Sequence, residues 1–267
     1  MTDTAARAII FLHIPKTAGQ SVHAFLKAGI PAAEICPARE NWQLTGTSIA
    51  ELRRYRLFSG HLDWVQLDCV GGNPFIFTIL REPVERILSF YFFLRREAQG
   101  LTPEQLASPE RRGMRAVMEL TPDQYFCGGG PEIRNFLDDH FDNFYVHYFA
   151  GRSFDARRRL RSRLGQPPRH MTEADLVDLA RSNLAQLSGV YRVDQLDRLE
   201  ADLRPILPGA PRRSLSEIRV NVGQDEAASR MVALGKLGPA EKARARIDEM
   251  CRLDRLLWND PATFAPR

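Results

Sequence analysis

The chain has 267 residues, 44% of them hydrophobic and 26% charged, and a formal net charge of +4. That is enough apolar material for one sizeable core and fits a single domain over residues 1–267, while no apolar stretch approaches the length needed to span a bilayer. The four cysteines, Cys36, Cys69, Cys127 and Cys251, are scattered without a CxxC pair, which excludes a disulfide framework in favour of buried or free thiols.

The first element is an apolar run of strand length, Ala8 to Leu12, reached within a few residues of the N-terminus; this leaves no room for a signal peptide and points to a cytoplasmic protein. A helix follows from Gly19, with Val22, Phe25 and Leu26 on one face. The turn between them, Ile14 to Ala18, passes from strand to helix. Such a turn leaves backbone N–H groups unpaired beside the positive end of a helix dipole, which makes an anion seat. Lys16 adds a full charge at its rim, the small residues Ala18 and Gly19 let a phosphate approach the backbone, and Thr17, Gln20 and Ser21 offer side-chain donors. His13, one residue before the turn, either lines the site or packs under the strand end, and the second is the favoured reading.

The next clear strand, Phe75 to Leu80, ends in Arg81, whose planar fork matches phosphate oxygens in bidentate fashion. Pro83 opens a helix at its first turn, and Val84, Ile87, Leu88, Tyr91 and Leu94 form one apolar stripe along it. Ser89, about two turns beyond Arg81, is placed to share the same anion. Both segments depart from the nucleotide P-loop pattern. Lys16 comes three residues before Gly19 instead of directly after a glycine, and Arg81 stands where a metal-binding aspartate is expected. A metal is therefore disfavoured, although Glu82 follows immediately.

Beyond Ala98 the pattern is irregular as far as Pro131, with Pro103, Pro109 and Pro122 breaking short helical pieces, and this stretch is expected on the acceptor side. Residues Arg152 to Arg169 are strongly basic through Arg157, Arg158, Arg159, Arg161 and Arg163, read equally as a solvated helix face or a patch for an anionic acceptor. Thr172-Glu-Ala-Asp175 is a capping-box-like helix start, Gly189 to Val193 a further strand, Gln195 to Leu207 a helix, and Pro239 towards Trp258 the last helix. Strands alternating with helices predict an α/β fold: a three-layer, P-loop-like arrangement with a mostly parallel central sheet flanked by helices, C-terminal helices over about 172–260, and the ligand at the strands' carboxyl ends. No aromatic-interleaved platform or zinc spacing points to nucleic acid, and His23, His140, His147 and His170 show no metal-ligand spacing.

The order Pro-Lys-Thr-Ala-Gly-x-Ser within 11–22 and Arg-Glu-Pro-x-x-Arg-x-x-Ser within 75–90 resembles the sulfotransferases that use 3′-phosphoadenosine 5′-phosphosulfate (PAPS). It is most similar to the carbohydrate group that includes heparan sulfate and uronyl 2-O-sulfotransferases. The resemblance implies that Lys16, Thr17, Ala18, Gly19, Gln20 and Ser21 hold the 5′-phosphosulfate, that Arg81 and Ser89 hold the 3′-phosphate, and that no metal is required. Phe58-Ser-Gly-His-Leu62 is similar to the element that carries the family's catalytic histidine, which makes His61 the implied general base; heparan sulfate members have a second histidine where Ser59 stands. A histidine suits that task because its ordinary pKa lies near neutrality. Weaker echoes run through Tyr125-Phe-Cys-Gly128, Asp142-Asn-Phe-Tyr145, Gly189-Val-Tyr191 and Arg219-Val-Asn221.

The implied reaction is direct, in-line transfer of a sulfuryl group to a hydroxyl of a carbohydrate or glycolipid, anionic saccharides included, leaving 3′,5′-adenosine bisphosphate. Lys16 acts on the leaving oxygen, and no sulfated enzyme forms, since no activated nucleophile accompanies the site. The alternatives are a kinase-like phosphotransferase and a non-catalytic nucleotide-binding module.

Overall fold

Four short runs, Ile9–Leu12 (β1), Leu57–Gly60 (β2), Phe75–Leu80 (β3) and Gly189–Arg192 (β4), pair in parallel in the order β2-β1-β3-β4. They are seen in a computed structural model that describes residues 7–161, 171–218 and 227–267. The longer helices in chain order are α1 (Gly19–Ala28), α2 (Pro83–Gln99), α3 (Arg112–Glu119), α4 (Gly130–His140), α5 (Phe144–Gly151), α6 (Ala156–Arg161), α7 (Glu173–Leu184), α8 (Leu196–Leu203), α9 (Ala227–Lys236), α10 (Glu241–Met250) and α11 (Asp254–Trp258).

Side chains alternate across a strand, so each strand feeds two cores. Ile9, Phe11, Leu57, Phe77, Ile79 and Tyr191 face α1 and α8 through Val22, Phe25, Leu26, Leu199 and Leu203. Ile10, Leu12, Phe58, Leu80 and Val190 face α5 and α7 through residues such as Tyr148, Phe149, Leu176 and Ala180. Helices therefore cover both faces of the sheet, as all-parallel strands require. Phe11 and Phe77, opposite in register, stack with centroids 4.8 Å apart, and truncating either to alanine costs about 3–5 kcal/mol. A third core joins α2 to α3, α4 and α10 through Ile87, Leu88, Tyr91, Val117, Leu137 and Ile247.

Register sets the site. Leu12 pairs with Gly60 on one side and with Thr78 on the other, so β1 and β2 end level and β3 runs two residues further. The residues just beyond them, His13, His61 and Arg81, consequently emerge at one edge. In this strand order the crossovers diverge between β1 and β3, the switch point where open parallel sheets bind ligands.

Three expectations change. The last helix is two, α10 and α11. The Asn143 side-chain oxygen accepts the Leu253 N–H at 2.7 Å, and the bend lets the Asp254 carboxylate accept the first N–H groups of α5, from Tyr145 at 3.1 Å and Val146 at 2.9 Å. The helix from Gln195 ends at Leu203 and passes into a 3₁₀ turn at Arg204–Ile206, where Pro205 has no N–H to continue it. In the basic segment, Arg157 is buried and ion-paired with Asp138 at 3.0 Å and Asp142 at 2.5 Å, while Arg158 pairs with Asp139 and Arg159 with Asp155. Arg157 thus departs from both readings of this segment, whereas Arg158 and Arg159 stay exposed beside their acids, as a solvated helix face requires; Arg163 and the Arg219-Val-Asn221 echo lie outside the described residues.

Candidate active site

The loop after β1 holds two non-glycine residues in the left-handed region, Lys16 at φ 73° and Ala18 at φ 65°. Such residues cost on the order of 1–3 kcal/mol each and gather where a ligand clamp needs them. Thr17 is wholly buried and its hydroxyl donates to the Ile14 carbonyl at 2.8 Å, closing the turn from within. Its hydroxyl is thereby engaged, and its amide remains. Ala18 caps α1 without a side-chain bond, no acid lies in the first turn, and among the described residues the N–H groups of Thr17, Ala18, Gly19 and Gln20 meet no acceptor. Unpaired amides at a helix N-terminus favour an anion. Gln20 is exposed at the rim, and Ser21 is buried in the first turn. Gly19 has a second reason to be glycine: a Cβ there would land 1.8 Å from Nε2 of His13, whose ring fills that space.

Cations converge on this loop. The Lys16 ammonium lies 3.9 Å from the centroid of the Phe93 ring on α2. Burial first, then the charges of Arg96 and Arg81, bring its pKa down to about 8. Burial and Arg230 likewise lower that of Arg81. The backbone of Arg81 is clasped by the Tyr145 hydroxyl, which accepts its N–H at 3.1 Å and donates to its carbonyl at 2.9 Å. Among the described residues its guanidinium has no hydrogen-bond partner, whereas Arg230 from α9 is paired with Glu85 at 2.7 Å. Glu85, Ser89 and Phe93 follow one another at four-residue spacing, which sets Ser89 on the α2 face between the Arg230 pair and the Lys16 contact. Glu82 caps α2 by accepting the Glu85 N–H at 2.8 Å.

His61 follows β2 directly. Its N–H donates to the Arg39 carbonyl at 2.7 Å, and the next carbonyl, of Leu62, accepts the Tyr148 hydroxyl at 2.9 Å. Gly60 is required by the same close strip, because a Cβ there would lie 2.5 Å from the Arg39 oxygen. Nδ1 of His61 is 2.9 Å from the His13 carbonyl oxygen. A carbonyl only accepts, so Nδ1 carries the proton and Nε2 keeps its lone pair, the tautomer of a base. Burial, opposed by that bond and by Glu40, lowers the pKa and favours the neutral ring. The ring stacks on His13 at 4.4 Å and meets Phe154 edge-on at 5.9 Å. Ser59 pairs instead with His23 at 3.0 Å, a ring that burial and then Arg39 bring down to about 4.

An unpartnered amide loop, a convergent set of cations and a base-ready histidine thus share one end of the sheet. The chain matches the family model described as sulfotransferase family over residues 2–229. It belongs to that family. No curated protein matches it.

Membership makes the chain a sulfotransferase and sets aside the kinase-like and non-catalytic alternatives. The α/β architecture expected of the sulfotransferase is present, with a sheet that is wholly parallel. No helix among the described residues is long and apolar enough to cross a membrane. Sequence reasoning missed Tyr145 as the clasp on Arg81, and Arg96 and Arg230 as neighbours of Lys16; the only signal was the Asp142-Asn-Phe-Tyr145 echo. A separate cavity of about 670 Å³ lies between α4, α7 and α10; it is lined by Phe126, Cys127, Asp142 and Asn143 of the two weaker echoes and by no residue of the 11–22 or 75–90 segments. Its charges are largely matched within the protein, Arg246 with Glu249 and Arg252 with Glu173.

Proposed function

We propose that this sulfotransferase moves a sulfuryl group from PAPS to a hydroxyl of a carbohydrate or glycolipid, within one catalytic domain. The observation that carries this is the juxtaposition of His61, its Nε2 left with a lone pair, and the amides of Thr17 to Gln20 with no internal acceptor. PAPS supplies an activated sulfuryl group on a phosphate leaving group. The donor set fits its two anionic ends: the amides and Lys16 face one, and Arg81 with Ser89 faces the other, with Tyr145 fixing Arg81.

His61 takes the acceptor proton at Nε2. Lys16, as an ammonium whose charge the bound anion favours, stabilises charge on the leaving oxygen. Preorganised amides and cations suit a transferring group of low charge without a metal. Trp42 is 72% exposed and lies two residues past Glu40, whose backbone bridges that of His61, so an apolar ring is open to solvent next in sequence to that bridge. A sugar ring presents the matching face, which favours a saccharide acceptor.

The test is a panel of saccharides, glycolipids and phenols with sulfur-labelled PAPS. Transfer to saccharide hydroxyls, lost by about 10²–10⁴ in kcat in His61→Ala with binding of 3′,5′-adenosine bisphosphate intact, is the expected result. Full turnover by His61→Ala would remove the base assignment.

A further inference from the structure

His13 remains without a role in this scheme, yet its surroundings are unusual. It is 5% exposed, and its Nδ1 is sealed from solvent with no hydrogen-bond partner. Its Nε2 edge lies where a side chain on Gly19 would begin. Side chains of a helix tilt towards its N-terminus, so that edge stands at the mouth of α1, beside the unpartnered amides. The other face of the ring stacks on His61 at 4.4 Å. His13 therefore sits between the base and the anion loop.

Its protonation state follows from charge and partners. Burial above all, then His61, Arg39, His23 and Lys16, hold its pKa well below the ordinary value, so the ring is neutral and carries one N–H. A sealed nitrogen tolerates an unpartnered lone pair better than an unpartnered N–H, which puts the proton on Nε2.

We propose that His13 is a further catalytic residue whose Nε2–H donates a hydrogen bond to a non-bridging oxygen of the sulfuryl group. This rests on the PAPS reading of the site. An in-line displacement lines up the acceptor oxygen at His61, the sulfur, and the bridging oxygen at Lys16, and the ring between those two residues flanks the central atom. In the step, His61 takes the hydroxyl proton as the new O–S bond forms. Lys16 stabilises the bridging oxygen, which keeps the electron pair of the broken S–O bond. His13 retains its proton throughout and acts only as a donor.

The experiment compares wild type with His13→Phe, His13→Gln and His13→Asn, using calorimetric affinities for PAPS and for 3′,5′-adenosine bisphosphate. Release of labelled sulfate from PAPS into water gives a rate that needs no acceptor, and melting curves show that each variant is folded. Phenylalanine keeps the ring and loses the donor, glutamine places an amide near the Nε2 position, and asparagine places it near Nδ1. The expected result is bisphosphate affinity within about threefold of wild type in His13→Phe, PAPS affinity down roughly tenfold and sulfate release down about 10²-fold, with His13→Gln recovering part of both and His13→Asn neither. Equal loss of both nucleotides, or no loss of either, would overturn the assignment. Should His13→Phe fail to fold, equal behaviour of the glutamine and asparagine variants would do the same. Wild type that binds neither nucleotide would sink the PAPS reading itself.

Discussion

Replacing Gly19 by alanine adds one methyl group at a position with no room for it. The new carbon would sit 1.8 Å from Nε2 and 2.0 Å from Cδ2 of His13, so the imidazole must leave its place. It cannot retreat freely, because Phe11 stacks on it at 5.3 Å and His61 at 4.4 Å. Overpacking of this kind costs about 1–3 kcal/mol, which in a protein of this size lowers Tm by roughly 2–12 °C. Gly19 is not in the left-handed region, so backbone strain adds nothing to the cost. The same methyl placed in a His13→Ala background finds the vacated space, and the cost should largely vanish. Denaturant unfolding of the four proteins gives the coupling, expected at about 1–2 kcal/mol. Additive effects of the two substitutions would refute the packing of His13 beneath Gly19, and with it the placement of that ring between loop and base.

Other outcomes follow from the same geometry. Lys16, brought down to about 8 from its ordinary 10.5, is half-charged near pH 8, and an anion at the loop restores its charge. Binding of 3′,5′-adenosine bisphosphate at pH 8 should take up about half a proton, measured by calorimetry in buffers of different ionisation heat, and affinity should fall as pH rises above 8. Lys16→Met should abolish the uptake, and uptake that persists in it would assign the proton elsewhere. Tyr145→Phe removes both hydrogen bonds to the Arg81 backbone and should raise the Kd for the bisphosphate about five- to tenfold with a smaller change in kcat; a loss confined to kcat would contradict its positioning role. Trp42→Ala should raise KM for a saccharide acceptor several-fold with the nucleotide Kd unchanged, and an unaltered KM would remove Trp42 from the acceptor side.

Three of the four strands were legible as apolar runs: Phe75 to Leu80 is β3 residue for residue, Ala8 to Leu12 exceeds β1 by one and Gly189 to Val193 exceeds β4 by one, while β2, Leu57–Gly60 with its Ser-Gly end, was met only through the resemblance at 58–62. The helix starting at Pro83 and the box at Thr172 carry their own caps in sequence, and both form where expected. Elements that depend on a distant partner were not legible. The break after Met250 is imposed by Asn143, more than a hundred residues away, and the arginines of α6 look free until α4 brings Asp138 and Asp139 against them. The same holds at the site. Lys16 and Arg81 could be singled out from local chemistry, but the low pKa of Lys16 needs burial first and then Arg96, and the tautomer of His61 needs a carbonyl at His13. Gly19 was legible as a glycine that an anion loop wants, while the ring that occupies its side-chain space was not.

The central claim is that one nucleotide with two anionic ends is held between the Lys16 loop and Arg81, and that His61 serves the acceptor without holding it. Calorimetric titration of 3′,5′-adenosine bisphosphate into wild type, Lys16→Ala, Arg81→Ala and His61→Ala tests this most directly. Tight binding to wild type and His61→Ala, weakened at least tenfold in Lys16→Ala and Arg81→Ala, is the predicted result. Equal affinity across all four proteins, or no binding to any, would contradict it.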